Sequence, residues 1–270
     1  MYQDAWKAEV GDTVAISSLP LPGAVPGPLQ LPVVAGGRHR AGVGSPLGTL
    51  GTDVLRRMTV EIHLEVAANP HVIFFAPACG SDIPRGAGYV RTGQSNFFSS
   101  HPDTHTSRFP NVPVMFVELE ERSTDRKQPR LPEPKRSART WAQLDTGYAD
   151  TVWPYSVDIN EAYLAELRAT VPSLALVGLV PVSGCGREDT LREVYVAPGW
   201  RLNVVPDIPQ RPIPFSSFYL VVKPKVTECG GIGPMSVPAA QLGSSFLRAF
   251  GTTILVPDRS ELWIKLPDPN

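Results

Sequence analysis

Proline and glycine divide this chain into short segments along its whole length. Its 270 residues include 29 prolines and 23 glycines, and these lie between short apolar runs such as Val114 to Leu119 and Phe218 to Val222. Proline interrupts helices, and short apolar runs bounded by proline and glycine are typical of strands. The sequence therefore predicts an all-β fold with a few short helices.

One segment has the pattern of a helix. Asp158 is followed three residues later by Glu161, which is the spacing of a capping box. Apolar residues then recur at helical spacing, namely Ile159, Tyr163, Leu164 and Leu167. We therefore expect a helix that begins at Asp158, with the Asp158 side chain as its cap.

The charge balance and the hydropathy pattern limit the classes of partner. Lys and Arg number 25, Asp and Glu number 26, and the formal net charge is −1. A chain of this kind has no overall field to attract nucleic acid or an anionic membrane, so neither is expected as a partner. No stretch approaches the roughly 18 apolar residues of a membrane-spanning helix. The opening MYQDAWKAEVGDT lacks the apolar region of a secretory signal, and the cellular location is left open.

The cysteine and histidine residues do not predict a metal or cofactor site. Cys79, Cys185 and Cys229 are too few for a disulfide-stapled scaffold and lack the CxxC spacing of a zinc site. One bridge between Cys185 and Cys229 and three free thiols are both compatible with the sequence. His101 and His105 lie in a segment with proline, serine and threonine, where an irregular loop is expected. We therefore expect no cofactor and no metal.

Two segments of the chain resemble each other. LGTDVLRRMTVEI, from Leu50 to Ile62, aligns without gaps with LGSSFLRAFGTTI, from Leu242 to Ile254. Both begin with Leu-Gly, contain Leu-Arg and end with Ile, and each is followed by apolar runs separated by turn residues. We interpret both as the closing part of a duplicated β-rich lobe, in which a turn leads into a short helix and a hairpin. A chance match between two amphipathic segments is the alternative.

The stretch WAQLDTGYADTVWP carries a motif with a chemical meaning. Asp145, Thr146 and Gly147 follow a short apolar run and precede the segment TVWP. An Asp-Thr-Gly in this setting suggests an acid-base carboxylate on a tight turn. Chemistry built on such a turn commonly uses two carboxylates that share one proton, and the sequence contains only one such triplet.

The repeat indicates where a second triplet would lie. Asp145 is 98 residues before Gly243, the glycine of the second Leu-Gly turn. The same distance before Gly51, the glycine of the first Leu-Gly turn, falls ahead of Met1. We therefore expect the partner triplet upstream of the sequence as given.

These residues resemble the pepsin-like and retropepsin-like aspartic peptidases. In that family the triplet is followed by a segment such as T-V-x-P, here Thr151 to Pro154, and an apolar-apolar-Gly turn later in the lobe crosses behind it, here Gln241-Leu242-Gly243. The resemblance implies a two-lobed, acid-protease-like β-barrel architecture. Residues 1–78 would be the C-terminal half of a first lobe, residues 79–112 an interlobe linker, and residues 113–270 a complete second lobe.

The resemblance also implies an activity and a set of site residues. It implies endopeptidase activity on a polypeptide substrate, with Asp145 as one of two carboxylates that activate a water molecule. The residues that would support the active-site turn are Thr146, Gly147, Tyr148, Leu242 and Gly243. The candidate flap, a hairpin that would close over the cleft, contains Gly184, Cys185 and Gly186, and a plain hairpin turn is its alternative.

Two residues depart from the family pattern. The residue after the triplet is usually small, whereas here it is Tyr148, and Gln241 stands where an apolar residue is expected. Because only one triplet is present, activity would require a homodimer that pairs two copies of Asp145, or further sequence upstream. The alternatives are a non-catalytic peptide-binding protein that keeps the cleft and an N-terminally truncated gene product.

Overall fold

Strands make up most of the structure. The computed structural model describes residues 10–16, 29–34, 59–63, 71–75, 88–95, 112–122, 137–145, 153–184, 187–206, 212–225, 232–256 and 261–265. The mostly β fold predicted from the sequence is confirmed for these residues. Neither helix that they contain is long and apolar enough to cross a membrane.

The strands and helices of the described residues follow one another along the chain in this order. They are β1 Val10–Ile16, β2 Leu29–Val34, β3 Thr59–His63, β4 His71–Phe75, β5 Tyr89–Arg91, β6 Gly93–Ser95, β7 Val112–Glu121, β8 Ser137–Leu144, β9 Ser156–Asn160, α1 Glu161–Thr170, β10 Ala175–Gly184, β11 Arg187–Val196, β12 Trp200–Val205, β13 Ile213–Phe215, β14 Tyr219–Lys223, β15 Ala240–Leu242, α2 Ser244–Phe250, β16 Thr253–Val256 and β17 Glu261–Lys265.

The largest sheet has ten strands and curls into a half-barrel. Its order is β10-β11-β14-β9-β15-β8-β7-β12-β13, and β6 pairs with β7. The short strand β15 lies between β8 and β9, parallel to the first and antiparallel to the second. β8 and β9 therefore follow each other in the chain but do not pair directly, because β15 lies between them in the sheet.

One face of the ten-stranded sheet covers the main core. Because side chains alternate along a strand, Ala142, Leu242, Val157 and Leu220 share this face, and all four are buried. The core is closed by α1, which buries Tyr163, Leu164 and Leu167, and by an aromatic group of Phe215, Phe246 and Phe250. The opposite face of the central strands carries the polar residues that form the candidate site.

The predicted helix is present, but the prediction that it begins at Asp158 is wrong. The helix α1 begins at Glu161, and Asn160 is its N-cap, with Oδ1 accepting a hydrogen bond from the Tyr163 N–H at 3.0 Å. Asp158 lies inside β9, where pairing with β14 and β15 keeps the backbone extended. Sheet pairing therefore overrides the capping-box pattern and moves the N-cap by two residues, from Asp158 to Asn160.

The two repeat copies lead into equivalent hairpins. The second copy runs into β16, which pairs antiparallel with β17, and the first runs into β3, which pairs antiparallel with β4, so the two predicted pairs of strands are confirmed. The hairpins lie side by side, because β3 pairs antiparallel with β16 in a five-stranded sheet of order β4-β3-β16-β17-β5. The helix α2 is the short helix expected in the second copy, and the one expected in the first copy lies outside the described residues.

Residues 79–112, expected to be a linker, supply strands to both large sheets. β5 pairs with β17 in the five-stranded sheet, and β6 pairs with β7 in the ten-stranded sheet. The connection between the two sheets therefore includes ordered strand pairing.

Candidate active site

Asp145 lies at the end of β8, beside the turn that follows β15. Its backbone N–H donates to the Leu242 carbonyl oxygen at 2.8 Å, which extends the parallel pairing of β8 and β15 by one residue. Leu242 is fully buried, and Gly243 is the N-cap of α2. Asp145 is itself only 3% exposed. The structure therefore brings together Asp145, Leu242 and Gly243 from the predicted site.

Several other predicted site residues lie outside the part of the chain that the structure describes. These are Thr146, Gly147, Tyr148, Cys185 and Gly186, together with Cys79 and Cys229. Gly184 is the last residue of β10 and pairs with Arg187 across the hairpin that contains the candidate flap.

Gln241 connects Asp145 to a second set of polar side chains. Its Nε2 donates to Asp145 Oδ2, and its Oε1 accepts hydrogen bonds from Gln143 Nε2 and from Lys223 Nζ, both at 3.3 Å. A lysine ammonium group can only donate, so the atom that faces Lys223 must be the amide oxygen. The amide nitrogen of Gln241 is therefore the end that faces Asp145.

Asp158 lies between two basic side chains. Its Oδ2 is 3.4 Å from Arg192 Nη1 and 3.7 Å from Lys223 Nζ. Asp158 is 1% exposed and Arg192 is 7% exposed, so this ion pair is buried, and Lys223 is partly buried beside it. Within the described chain, Asp158 Oδ1 and Arg192 Nε make no hydrogen bond. The cluster is therefore only partly satisfied, which is costly in a low-dielectric interior.

The strand register explains why these side chains meet. Gln143 lies opposite Gln241, Gln241 lies opposite Asp158, and Asp158 lies opposite Val221 of β14. Residues two positions along a strand share a face, which adds the remaining members. We call this set the polar row, and it consists of Gln143, Asp145, Gln241, Asp158, Lys223 and Arg192.

Most of the polar row was not singled out from the sequence. The capping-box pattern predicts a helix cap at Asp158, and Gln241 stands out in the sequence only as a departure from an apolar position. Gln241 and Asp158 each lie between two core residues of their strand, as in Ala240-Gln241-Leu242, and this alternation places them on the face away from the core. What the sequence does not contain is the strand order that puts the five strands side by side.

The hairpin of β10 and β11 presents apolar side chains to its surroundings. Leu176, Leu179 and Leu191 share one face by strand register and are 53%, 55% and 63% exposed. β10 also lies at one edge of the ten-stranded sheet. An apolar face on an edge hairpin is typical of a surface that packs against another molecule.

Two surface cavities in the described residues lie away from Asp145. One, of about 450 Å³, is lined by Glu118, Glu120, Arg201 and Asn203, and the other, of about 230 Å³, lies around Trp200. In the first cavity Arg201 and Glu120 already pair, since Arg201 Nε donates to Glu120 Oε2 at 2.8 Å. Among the residues that the structure describes, no three His, Cys, Asp or Glu side chains are placed to hold a metal ion.

No model of a known protein family matches this chain, and no curated protein and no solved structure matches it.

Proposed function

We propose that this protein is an aspartic endopeptidase-like hydrolase in which Asp145 is one of the two catalytic carboxylates. The observation that supports this best is the position of β15. It separates β8 from β9 and brings Leu242 and Gly243 directly beside Asp145. An Asp-Thr-Gly triplet with an apolar-Gly turn against it is the arrangement that the sequence resemblance implies.

The proposed chemistry is the activation of a water molecule. One carboxylate accepts the proton of the water while a second, protonated carboxyl polarises the scissile carbonyl. Two carboxylates at hydrogen-bonding distance cannot both ionise, so the pair shares one proton. Asp145 supplies one of them, and we propose that a second copy of the chain supplies the other through its own Asp145.

The hairpin of β10 and β11 offers a further binding surface for the substrate in this proposal. A polypeptide offers both backbone hydrogen-bonding groups and apolar side chains, and an edge hairpin that carries Leu176, Leu179 and Leu191 offers complementary groups. Polypeptide is therefore the substrate class that we propose.

Hydrolysis of a denatured protein at acidic pH tests the proposal. The purified chain should release fragments, and Asp145→Asn should lower the rate by about 1,000-fold or more, because the amide cannot accept the proton of the water. Glu118→Gln is the matched control, since it also neutralises a carboxylate of the ten-stranded sheet but lies in the larger cavity. Full activity in Asp145→Asn, or equal loss in both variants, would show that Asp145 is not the catalytic group.

A non-catalytic peptide-binding protein is the second candidate. It is favoured by the burial of Asp145 and by the hydrogen bond that its carboxylate accepts from Gln241. In that case a denatured polypeptide should bind without being cleaved at any pH, and binding should survive Asp145→Ala. If binding also falls in the Leu179→Ser and Leu191→Ser variants, the polypeptide binds to the hairpin of β10 and β11.

A further inference from the structure

Gln241 occupies a position where an apolar side chain would be less costly. The neighbouring residues of β15, Ala240 and Leu242, are fully buried and belong to the core, and Gln241 is 3% exposed on the other face. Burying an amide is unfavourable unless both its ends are hydrogen-bonded. Gln241 meets this condition through Asp145 on one side and through Gln143 and Lys223 on the other.

Lys223 determines which end of the Gln241 amide faces Asp145. If the amide turned over, its NH₂ group would face the Lys223 ammonium and its oxygen would face Asp145 Oδ2, so both contacts would become repulsive. Lys223 is itself held by Asp158, at 3.7 Å. Asp158 therefore holds the Lys223 ammonium group. Lys223 sets the orientation of the Gln241 amide, and that amide contacts Asp145.

The charged residues of the polar row contribute little to the stability of the fold, because desolvating buried charges costs free energy. Asp158, Arg192 and Lys223 pair at 3.4 to 3.7 Å, and two of their buried polar atoms have no hydrogen bond within the described chain. Buried ion pairs of this kind often add no stability relative to apolar residues of similar volume. Local rules of good packing are most often broken at functional sites.

We propose that Gln241 and Lys223 are positioning residues for Asp145. Lys223, held by Asp158, fixes the orientation of the Gln241 amide, and Gln241 in turn fixes the orientation of the Asp145 carboxylate. The proposal rests on the proposed function, in which Asp145 is catalytic, and it adds residues that do not touch the substrate.

The first experiment does not depend on catalysis. In ¹⁵N-labelled protein, the side-chain amide signal of Gln241 is identified by its loss in Gln241→Leu. That signal should move in Asp145→Asn and in Lys223→Met, and Lys223→Arg should bring it back towards its original position. Lys225→Met is the matched control, because Lys225 is exposed and two residues farther along the chain. The signal should not move in that variant.

The second experiment separates positioning from a merely structural role. Gln241→Leu and Lys223→Met should lower kcat by about 100-fold with little change in KM, because misplacement of a reacting group by about 1 Å is worth a factor of this size. Lys223→Arg should restore most of the rate, and Lys225→Met should leave it unchanged. Each apolar variant leaves a buried polar partner without its hydrogen bond and should lower the thermal unfolding midpoint, so the rates are compared at a temperature where every variant is folded.

The two proposals fail in different ways. An amide signal that ignores Asp145→Asn, or a Lys223→Met variant with full kcat, would show that Gln241 and Lys223 do not position Asp145. If the amide signal responds as expected but the chain cleaves no polypeptide, the hydrogen bonds from Lys223 through Gln241 to Asp145 are supported and the peptidase function is wrong. Where Lys223→Met does not fold, the comparison of Lys223→Arg and Gln241→Leu still decides between these results.

Discussion

Asn160 and Ala239 are hydrogen-bonded to each other in both directions. The Asn160 backbone N–H donates to the Ala239 carbonyl oxygen at 3.2 Å, and the Ala239 N–H donates to Asn160 Oδ1 at 3.0 Å. The Asn160 side chain also donates through Nδ2 to the carbonyl oxygens of Met235 and Val237, at 3.0 and 2.7 Å. One asparagine therefore caps α1 and holds the segment that leads into β15.

Replacement of Asn160 should be among the most destabilising polar changes in the chain. Asn160→Asp would place an oxygen against the Met235 and Val237 carbonyl oxygens, so we expect a loss of about 3 kcal/mol or more in the free energy of unfolding. Urea denaturation measures this loss in the free energy of unfolding. Ser173→Ala removes an exposed hydrogen bond to Pro198 and should cost less than about 1 kcal/mol. Equal losses in the two variants would contradict the central role of Asn160.

The hydroxyl of Tyr163 should make stability depend on alkaline pH. It is fully buried and donates to the Ala138 carbonyl oxygen at 2.9 Å, and burial, together with the charges of Glu166 and Glu118, raises its pKa. The folded chain therefore keeps this proton at a pH where the unfolded chain releases it. The contribution is complete below the unfolded value of about 10 and is lost as the pH rises above it, by up to about 1.4 kcal/mol per pH unit.

Tyr163→Phe provides the measurement. The variant should lose about 1 kcal/mol at neutral pH, because the Ala138 carbonyl loses its donor, and its stability should fall less steeply than that of the original chain between pH 9 and 11. Tyr219→Phe, at a partly exposed tyrosine, serves as the control. Identical pH slopes for the original chain and Tyr163→Phe would contradict the prediction.

Gly233 should tolerate no side chain. A Cβ atom at this position would lie 2.5 Å from the Pro224 carbonyl oxygen, which is backbone and cannot rotate away. Gly233→Ala should therefore lower the thermal unfolding midpoint, at a cost of about 1 to 3 kcal/mol. Gly178→Ala is the control, because nothing lies within 4 Å of its added Cβ, and its effect should be small. A harmless Gly233→Ala would show that the 232–235 turn does not approach Pro224 so closely.

A mixture of chains tests whether the catalytic pair is shared between two copies. If each copy contributes one Asp145, an equimolar mixture of the original chain and Asp145→Asn should keep about one quarter of the activity of the same total amount of original chain. If a single copy is active alone, about one half should remain. The mixture is refolded together before the assay so that the copies exchange.

The all-β character, the helix within 158–170 and the two hairpins could be predicted because they depend on local patterns. Proline and glycine bound the strands, and Tyr163, Leu164 and Leu167 define the buried face of α1. The start of α1 could not be predicted, since Asp158 is held in β9 by strands from distant parts of the chain. At Asp158 sheet pairing, and not the local helix propensity, determines the backbone conformation.

The candidate site was predictable in its motif and not in its surroundings. Asp145 and Leu242 could be expected to lie together because the sequence resembles a family in which an apolar-Gly turn crosses behind the Asp-Thr-Gly triplet. Lys223 and Arg192 carry no such pattern and look like ordinary charged residues of exposed strand faces. Only the strand order of the ten-stranded sheet places them beside Asp158 and Gln241.

The three-residue strand β15 also has a consequence for how the protein folds. Its pairing with β8 joins residues that are 98 positions apart, such as Gln143 and Gln241. Closing so long a loop costs chain entropy before any contact compensates for it, and pairings of this kind form slowly. During refolding, the helical signal of α1 should appear well before the environment of Asp145 becomes native. A fragment that ends before Ala240 would contain Asp145 but could not hold it in place.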